Sequence, residues 1–372
     1  MATINHHSKP YDEGTLTKLE IFEMYAKEWL PTFIMTQGYT NIWIFDFFAG
    51  PGYDNNGVEG SPIRLLKQIN GHVGNIFSHK KIINICFNEY DDEKFELLKK
   101  TCDQYIEDNA GLLRAKNNNR LKINYRNCDT EELFEKTLPI ISDNPALVYL
   151  DQNGVKFLAD KYFLQLANTT TTDFLYFVSS SYILRFGGSP EFSNSIKIDM
   201  DKAKSEPYKY IHKELLRQLK EKLPEDTNLS LFPFSIKKGK NIYGIIFGAS
   251  HIRAVEKFLT TAWSQNDING EANFDIDDDQ NKSQLDLFCS QSLTKIEKFK
   301  LSLRKAIMNG NVLNNRDAFT YAMERGHISK HAKEEVAIMK KEGLITFEAK
   351  QPLISYENTY GRKKRLVIYK KK

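Results

Sequence analysis

The stretch Ile42-Trp43-Ile44-Phe45-Asp46-Phe47-Phe48-Ala49-Gly50-Pro51-Gly52 decides the fold. Its first half is aromatic and β-branched, the composition of a buried strand. It ends on an acid, then on small residues, where glycine accepts positive φ and lets backbone approach a ligand. Past a short insertion, Ser61-Pro62-Ile63-Arg64-Leu65-Leu66 reads as a helix start, with Ser61 at the N-cap and Pro62 first in the helix. A strand, a glycine turn and a helix N-terminus together form a nucleotide-binding crevice. The turn alone is a weak signal, because Gly50 and Gly52 do not complete a G-x-G-x-x-G fingerprint.

Working outward, the same pattern recurs. Upstream, Thr15 to about Met35 places Leu16, Leu19, Phe22, Ala26 and Trp29-Leu30 at helical spacing, a stripe for docking on a core. Downstream, strands are expected at Ile82–Glu89, at Leu121–Arg126 running to Asp129, at Ala146–Leu150 running to Asp151-Gln152-Asn153-Gly154, and at Phe174–Val178. Helical segments alternate with them, which predicts a mostly parallel, Rossmann-like α/β sheet. Phe232–Ile236 and Ile242–Phe247, joined by Lys237-Lys238-Gly239-Lys240, add an antiparallel hairpin at its edge. Four strands thus end on acids, Asp46, Glu89, Asp129 and Asp151, along the edge where open α/β sheets bind ligands. In a nucleoside site, Glu89 can take two ribose hydroxyls, Asp129 an adenine amino group, and Asp151 faces the reaction. The competing reading is that each acid caps the following helix.

Composition sets the outer limits. At 372 residues, 41% hydrophobic and 27% charged, the chain holds more than one soluble domain. No apolar run approaches the roughly 18 residues of a membrane span, and Met1–Ser8 is no signal peptide, so a cytoplasmic protein is expected. Cys86, Cys102, Cys128 and Cys289 lie far apart, which argues against a zinc site or a disulfide framework. A net charge of only +4 requires any nucleic-acid binding to rest on a local patch. No P-loop, H-E-x-x-H or G-x-S-x-G pattern is present. His212 and His251 stand alone and read as surface or packing residues, and Asp275–Asp279 reads as a solvated linker, so no metal is expected.

The domain boundary is expected at 290/291. Residues 185–228 turn polar and form a possible lid or recognition insert. After residue 290, three amphipathic helices and two strands, near Leu344–Ala349 and Leu366–Tyr369, make a winged helix-turn-helix. Gly310, Gly326 and Gly343 end its helices, and Asn314 and Ser329 cap the second and third. Lys330, His331 and Lys333 on the third helix, and Arg362, Lys363, Lys364 and Arg365 on the wing, can meet DNA or RNA phosphates. Protein docking is the equal alternative for such a module.

Several further segments carry a family likeness. They are Thr17-Lys18-Leu19 with Trp29-Leu30-Pro31, Asp46–Gly52 with Gly60-Ser61-Pro62, Leu150–Gly154, Tyr182–Phe186, Tyr243–Phe247, and Trp263 with Gly270–Phe274. In this order they cover most of the chain, which resembles the three-Cys-motif partner family. The resemblance implies a class I methyltransferase-like fold, S-adenosyl-L-methionine as cofactor, and a partner protein with three cysteines of the kind that holds an iron–sulfur cluster. It is similar to DNA methyltransferases in its first motif, which implies Asp46, Ala49, Gly50 and Gly52 on the methionine side, Glu89 at the ribose and Asp129 at the adenine. Asp151 and Asn153 would then orient the acceptor. One departure stands out: Gln152 replaces the proline that follows the acid in amino-methyltransferases, and their stacking aromatic is missing. Two functions follow as expectations. One is methyl transfer to nucleic acid, in mobile-element conflict or phage defence. The other is a catalytically inactive scaffold or sensor that binds nucleotide or nucleic acid.

Overall fold

A computed structural model describes residues 10–152, 156–179, 182–183, 196–205, 207–239, 241–282 and 293–372. Asn153, Gly154 and the whole of the segment 184–195 lie outside them. The chain forms two compact units, divided between Ser250 and His251.

The first unit is an α/β fold around a seven-stranded sheet. Its strands are β1 (Asn41–Asp46), β2 (Ile82–Asn88), β3 (Leu121–Arg126), β4 (Ala146–Leu150), β5 (Thr172–Ser179), β6 (Ser230–Lys238) and β7 (Asn241–Ala249). Their order is β3-β2-β1-β4-β5-β7-β6. β1 to β5 pair in parallel, and β7 runs antiparallel to both β5 and β6. The chain moves outward from β1 in one direction, then returns to lay β4 on β1's other side. That reversal opens a crevice beyond the C-terminal ends of β1 and β4.

Both sheet faces are covered, as near-continuous apolar strands require. On one face lies α1 (Glu13–Met35), capped by Asp12, whose side chain accepts from the Thr15 amide. Its Phe22 stacks on Tyr149 of β4 with ring centroids 4.3 Å apart. Its Tyr25 hydroxyl donates to Asp173 of β5 at 2.6 Å. Each such buried ring contributes roughly 1.5–3 kcal/mol. On the opposite face Phe134, Phe157, Phe163 and Tyr176 form one apolar cluster.

The helix Pro207–Glu221 belongs to the segment read as a lid. It packs on β6, with Ile211, Leu215 and Leu219 fully buried. His212 of the same helix is buried against β6, its Nδ1 3.0 Å from Ser235 Oγ. The helix that follows the glycine turn, α2 (Ser61–Asn70), differs by one residue from expectation. Gly60 is its N-cap, and Ser61 is freed for another partner.

The second unit begins ahead of the boundary read from the sequence. The helix Ile252–Gln265 belongs to it, because Trp263 Nε1 donates to the Gly326 carbonyl at 2.9 Å. The helices Lys295–Asn309, Asn315–Glu324 and Ser329–Lys341 follow. Gly310, Gly326 and Gly343 close them with positive φ. Asn314 caps the second as expected, whereas Ile328, not Ser329, is the N-cap of the third. The expected wing strands contract to a two-residue pair, β8 (Ile345–Thr346) with β9 (Lys370–Lys371), plus a bridge between Asn314 and Ile368. Side chains take the backbone groups that a longer ladder would use. Lys340 donates to the carbonyls of Phe347 and Ala349. Asn315 donates to those of Leu353 and Arg365 and accepts from the Val367 amide. The acidic run 275–279 is equally built in: Asp275 accepts from the amides of Asp279 and Gln280.

Candidate nucleotide site at the sheet rim

The turn after β1 has the backbone its glycines predict. Gly50 and Gly52 have φ of 66° and 95°. A Cβ on Gly52 would stand 2.6 Å from Thr101 Oγ1, and that hydroxyl donates to the Pro51 carbonyl at 2.8 Å. The Gly60 amide donates to the Gly52 carbonyl at 2.7 Å, so the Tyr53–Glu59 excursion closes back on the turn.

Asp46 holds this turn from beneath. It is fully buried, and it accepts from Ser61 Oγ at 2.6 Å and from the Phe48 amide at 3.2 Å. Burial pushes its pKa up to about 7 against the pull of those two hydrogen bonds. Asp46 therefore shapes the cradle through Ser61 and Phe48, with no solvent-facing surface of its own.

Glu89 stands at the rim itself. One carboxylate oxygen accepts from the Gly50 amide at 3.1 Å, the other from the Asp91 amide at 3.0 Å. Each oxygen keeps a further lone pair for an incoming donor. Beside it Tyr90 is 71% exposed. Asn127 fixes this corner by donating to the carbonyls of Glu89 and Tyr90, both at 3.0 Å. Asn88 ties the ends of three strands: its amide donates to the carbonyls of Phe47 and Cys128 and accepts from the Cys128 amide. Asp129 is exposed and accepts from the amides of Glu131 and Glu132, so it caps the helix Thr130–Asp143. Of the four strand-end acids, this one fits the capping reading.

Asp151 lies on the other side of β1. It is ion-paired with Lys18 of α1, whose ammonium also sits 4.3 Å over the Phe177 ring. Gln152 is buried, with Oε1 accepting from the Phe157 amide at 2.9 Å and Nε2 lacking a partner. The buried Tyr149 hydroxyl is likewise unpartnered.

Ala49, Gly50 and Gly52 of the turn, Glu89 bonded to it and Asp46 beneath it thus lie together at the C-terminal ends of β1 and β2, with Asp151 on the other side of β1. Asn153 lies outside the described residues. Sequence reading missed Lys18, Asn88, Asn127 and Tyr90. The first had a signal in the Thr17-Lys18-Leu19 segment, and a lysine on an apolar helix stripe is unusual enough to mark. Asn88 gave no signal, because its role depends on strands brought together only by folding. Among the described residues no group of three or more His, Cys, Asp or Glu could hold a metal. No described helix is long and apolar enough to cross a membrane.

No family model and no curated protein matches the chain. Among solved structures it is similar to Trm1 from Pyrococcus horikoshii in complex with S-adenosyl-L-methionine, at 8% identity and a TM-score of 0.36. That match covers 67% of this chain and 59% of that one, less than two thirds of its length. It is also similar to cofactor-bound Rv0187 from MTB, at 13% identity and a TM-score of 0.29, over 64% of this chain and 90% of that one.

In the second unit the residues read as nucleic-acid contacts separate into two sets. Lys330 and Arg362–Arg365 are exposed and Lys333 is half-buried. His331 is turned inward, 5% exposed, with its Nδ1 3.1 Å from His327 Nδ1 and its ring against Trp263. Burial pushes its pKa down to about 4, so it stays neutral and offers no charge to a phosphate.

Proposed function

We propose that the first unit binds S-adenosyl-L-methionine at the β1–β2 rim and transfers its methyl group to an amine of a nucleic acid. The observation that carries this reading is the Glu89–Gly50 hydrogen bond at the C-terminal ends of β1 and β2, next to the reversal of the sheet at β1. It pairs a carboxylate with a bare, positive-φ backbone turn, the chemistry that an adenosine diol and an amino-acid tail require. The cofactor supplies an electrophilic methyl carbon. Glu89 takes the ribose hydroxyls, Tyr90 stacks against the adenine, and Asp129 lies at the adenine end. Ala49, Gly50 and Gly52 pass the methionine portion, on a turn that Asp46 holds. Asp151, with Asn153, accepts a hydrogen bond from the target amine, so that its lone pair faces the methyl carbon.

The second unit is read as a winged helix that presents nucleic acid through Lys330, Lys333 and Arg362–Arg365. A three-Cys-motif protein is the proposed partner, and conflict with phage or mobile elements the proposed setting. Tritiated methyl transfer to DNA, RNA and the partner tests the reading. Asp151→Ala should abolish transfer and leave cofactor binding intact, whereas Glu89→Ala should weaken cofactor binding more than tenfold. A second reading, a scaffold that holds nucleotide without moving a methyl group, draws support from Gln152 in place of proline and from the Lys18 pairing of Asp151. Cofactor binding with no transfer to any of the three acceptors selects it.

A further inference from the structure

Lys18 is an ammonium in a place where ammonium groups are costly. It lies on the buried face of α1, and the residue is only 8% exposed. Replacing a buried pair with apolar side chains is often neutral or stabilising, so a pair such as this one is weak evidence of a role in stability. Its two neighbours, the Asp151 carboxylate and the Phe177 ring, come from the C-terminal ends of β4 and β5. The Tyr149 hydroxyl, 1% exposed and without a partner, lies within electrostatic reach of the same carboxylate. A donor, an acceptor and an unsatisfied hydroxyl therefore gather at the acceptor side of the crevice, on the α1 face of the sheet.

From this arrangement we infer that Lys18 and Asp151 form a recognition pair for an amine flanked by a hydrogen-bond acceptor, the Watson–Crick edge of an unpaired adenine or cytosine. The inference rests on the methyl-transfer reading for its location but concerns binding alone. The ion pair leaves both groups with capacity. An ammonium has three donors, and a carboxylate has about four acceptor positions. Asp151 takes the exocyclic amine, and Lys18 donates to the adjacent ring nitrogen. Thymine and uracil have no exocyclic amine and carry N–H where adenine and cytosine carry the ring acceptor, so they meet like against like at both positions. The edge is accessible only in a single strand or a flipped base.

The test is fluorescence anisotropy of the full chain with single-stranded oligonucleotides of adenine, cytosine or thymine alone. Wild type should hold the adenine and cytosine strands about tenfold more tightly than thymine, the discrimination of one two-point base contact. Lys18→Met and Asp151→Ala should each erase that preference, by loosening the adenine and cytosine strands toward the thymine value. Lys18→Arg should keep most of it, and thermal melting confirms that each variant is folded. Equal affinity of wild type for all three strands overturns the proposal, as does a preference that survives in Lys18→Met. A base preference without methyl transfer leaves the pair standing and removes the enzyme reading. Methyl transfer without a base preference does the reverse.

Discussion

Two carboxylates sealed in the sheet give the first unit a pH signature. Burial holds Asp46 and Asp173 near a pKa of about 7, against 3.8 in the unfolded chain. Between those values the folded state keeps protons that the unfolded state has released. Their contribution is therefore greatest at the acidic end, falls as pH rises from about 4 to about 7, and is flat above that. Asp173→Asn should flatten this dependence and gain on wild type as pH rises. Urea melts at about pH 5 and about pH 8 measure it, and an unchanged slope would refute the assignment. Gly52 supports a second prediction. Gly52→Ala combines a φ of 95° with a Cβ placed 2.6 Å from Thr101 Oγ1. It should cost roughly 2–4 kcal/mol, and Thr101→Ala should restore only the share due to the clash. Full restoration would mean the φ carries no strain.

At the scale of elements, seven strands were legible to within a few residues because aromatic and β-branched runs sit between helical periods. The reversed last strand was legible from the Lys237–Lys240 hairpin. The C-terminal strand pair was harder. Its apolar spacing suggests two ordinary strands, but Asn315 and Lys340 take their backbone partners, and neither side chain advertises that in sequence. Asn315 is fully buried and serves three backbone groups. Asn315→Ala should therefore loosen the 353–367 segment as a block and cost about 2–4 kcal/mol. Amide exchange across that segment reads the effect, and protection unchanged from wild type argues against it. The candidate site divides in the same way. The glycine turn and Glu89 were visible as local motifs. Lys18 reaching Asp151 joins residues far apart in the chain, and no spacing rule could pair them.

At the scale of the molecule, a net charge of +4 requires the proposed nucleic-acid binding to rest on concentrated patches. The exposed run Arg362–Arg365 is the densest candidate. Replacing its four residues with alanine should weaken binding evenly across sequences. If each meets one phosphate, the slope of log affinity against log salt should fall by about 3–4. A slope unmoved by the change would assign the patch to protein docking. His331→Ala should leave the slope alone, because that ring is buried and uncharged.

Asn88 stitches together the ends of β1, β2 and β3 through hydrogen bonds that the chain makes with itself. A rim fastened in that way is a mould already cast. Its occupant should dock in a single fast kinetic phase, and the heat capacity of docking should reflect only the surface covered, with nothing added for chain that has yet to settle.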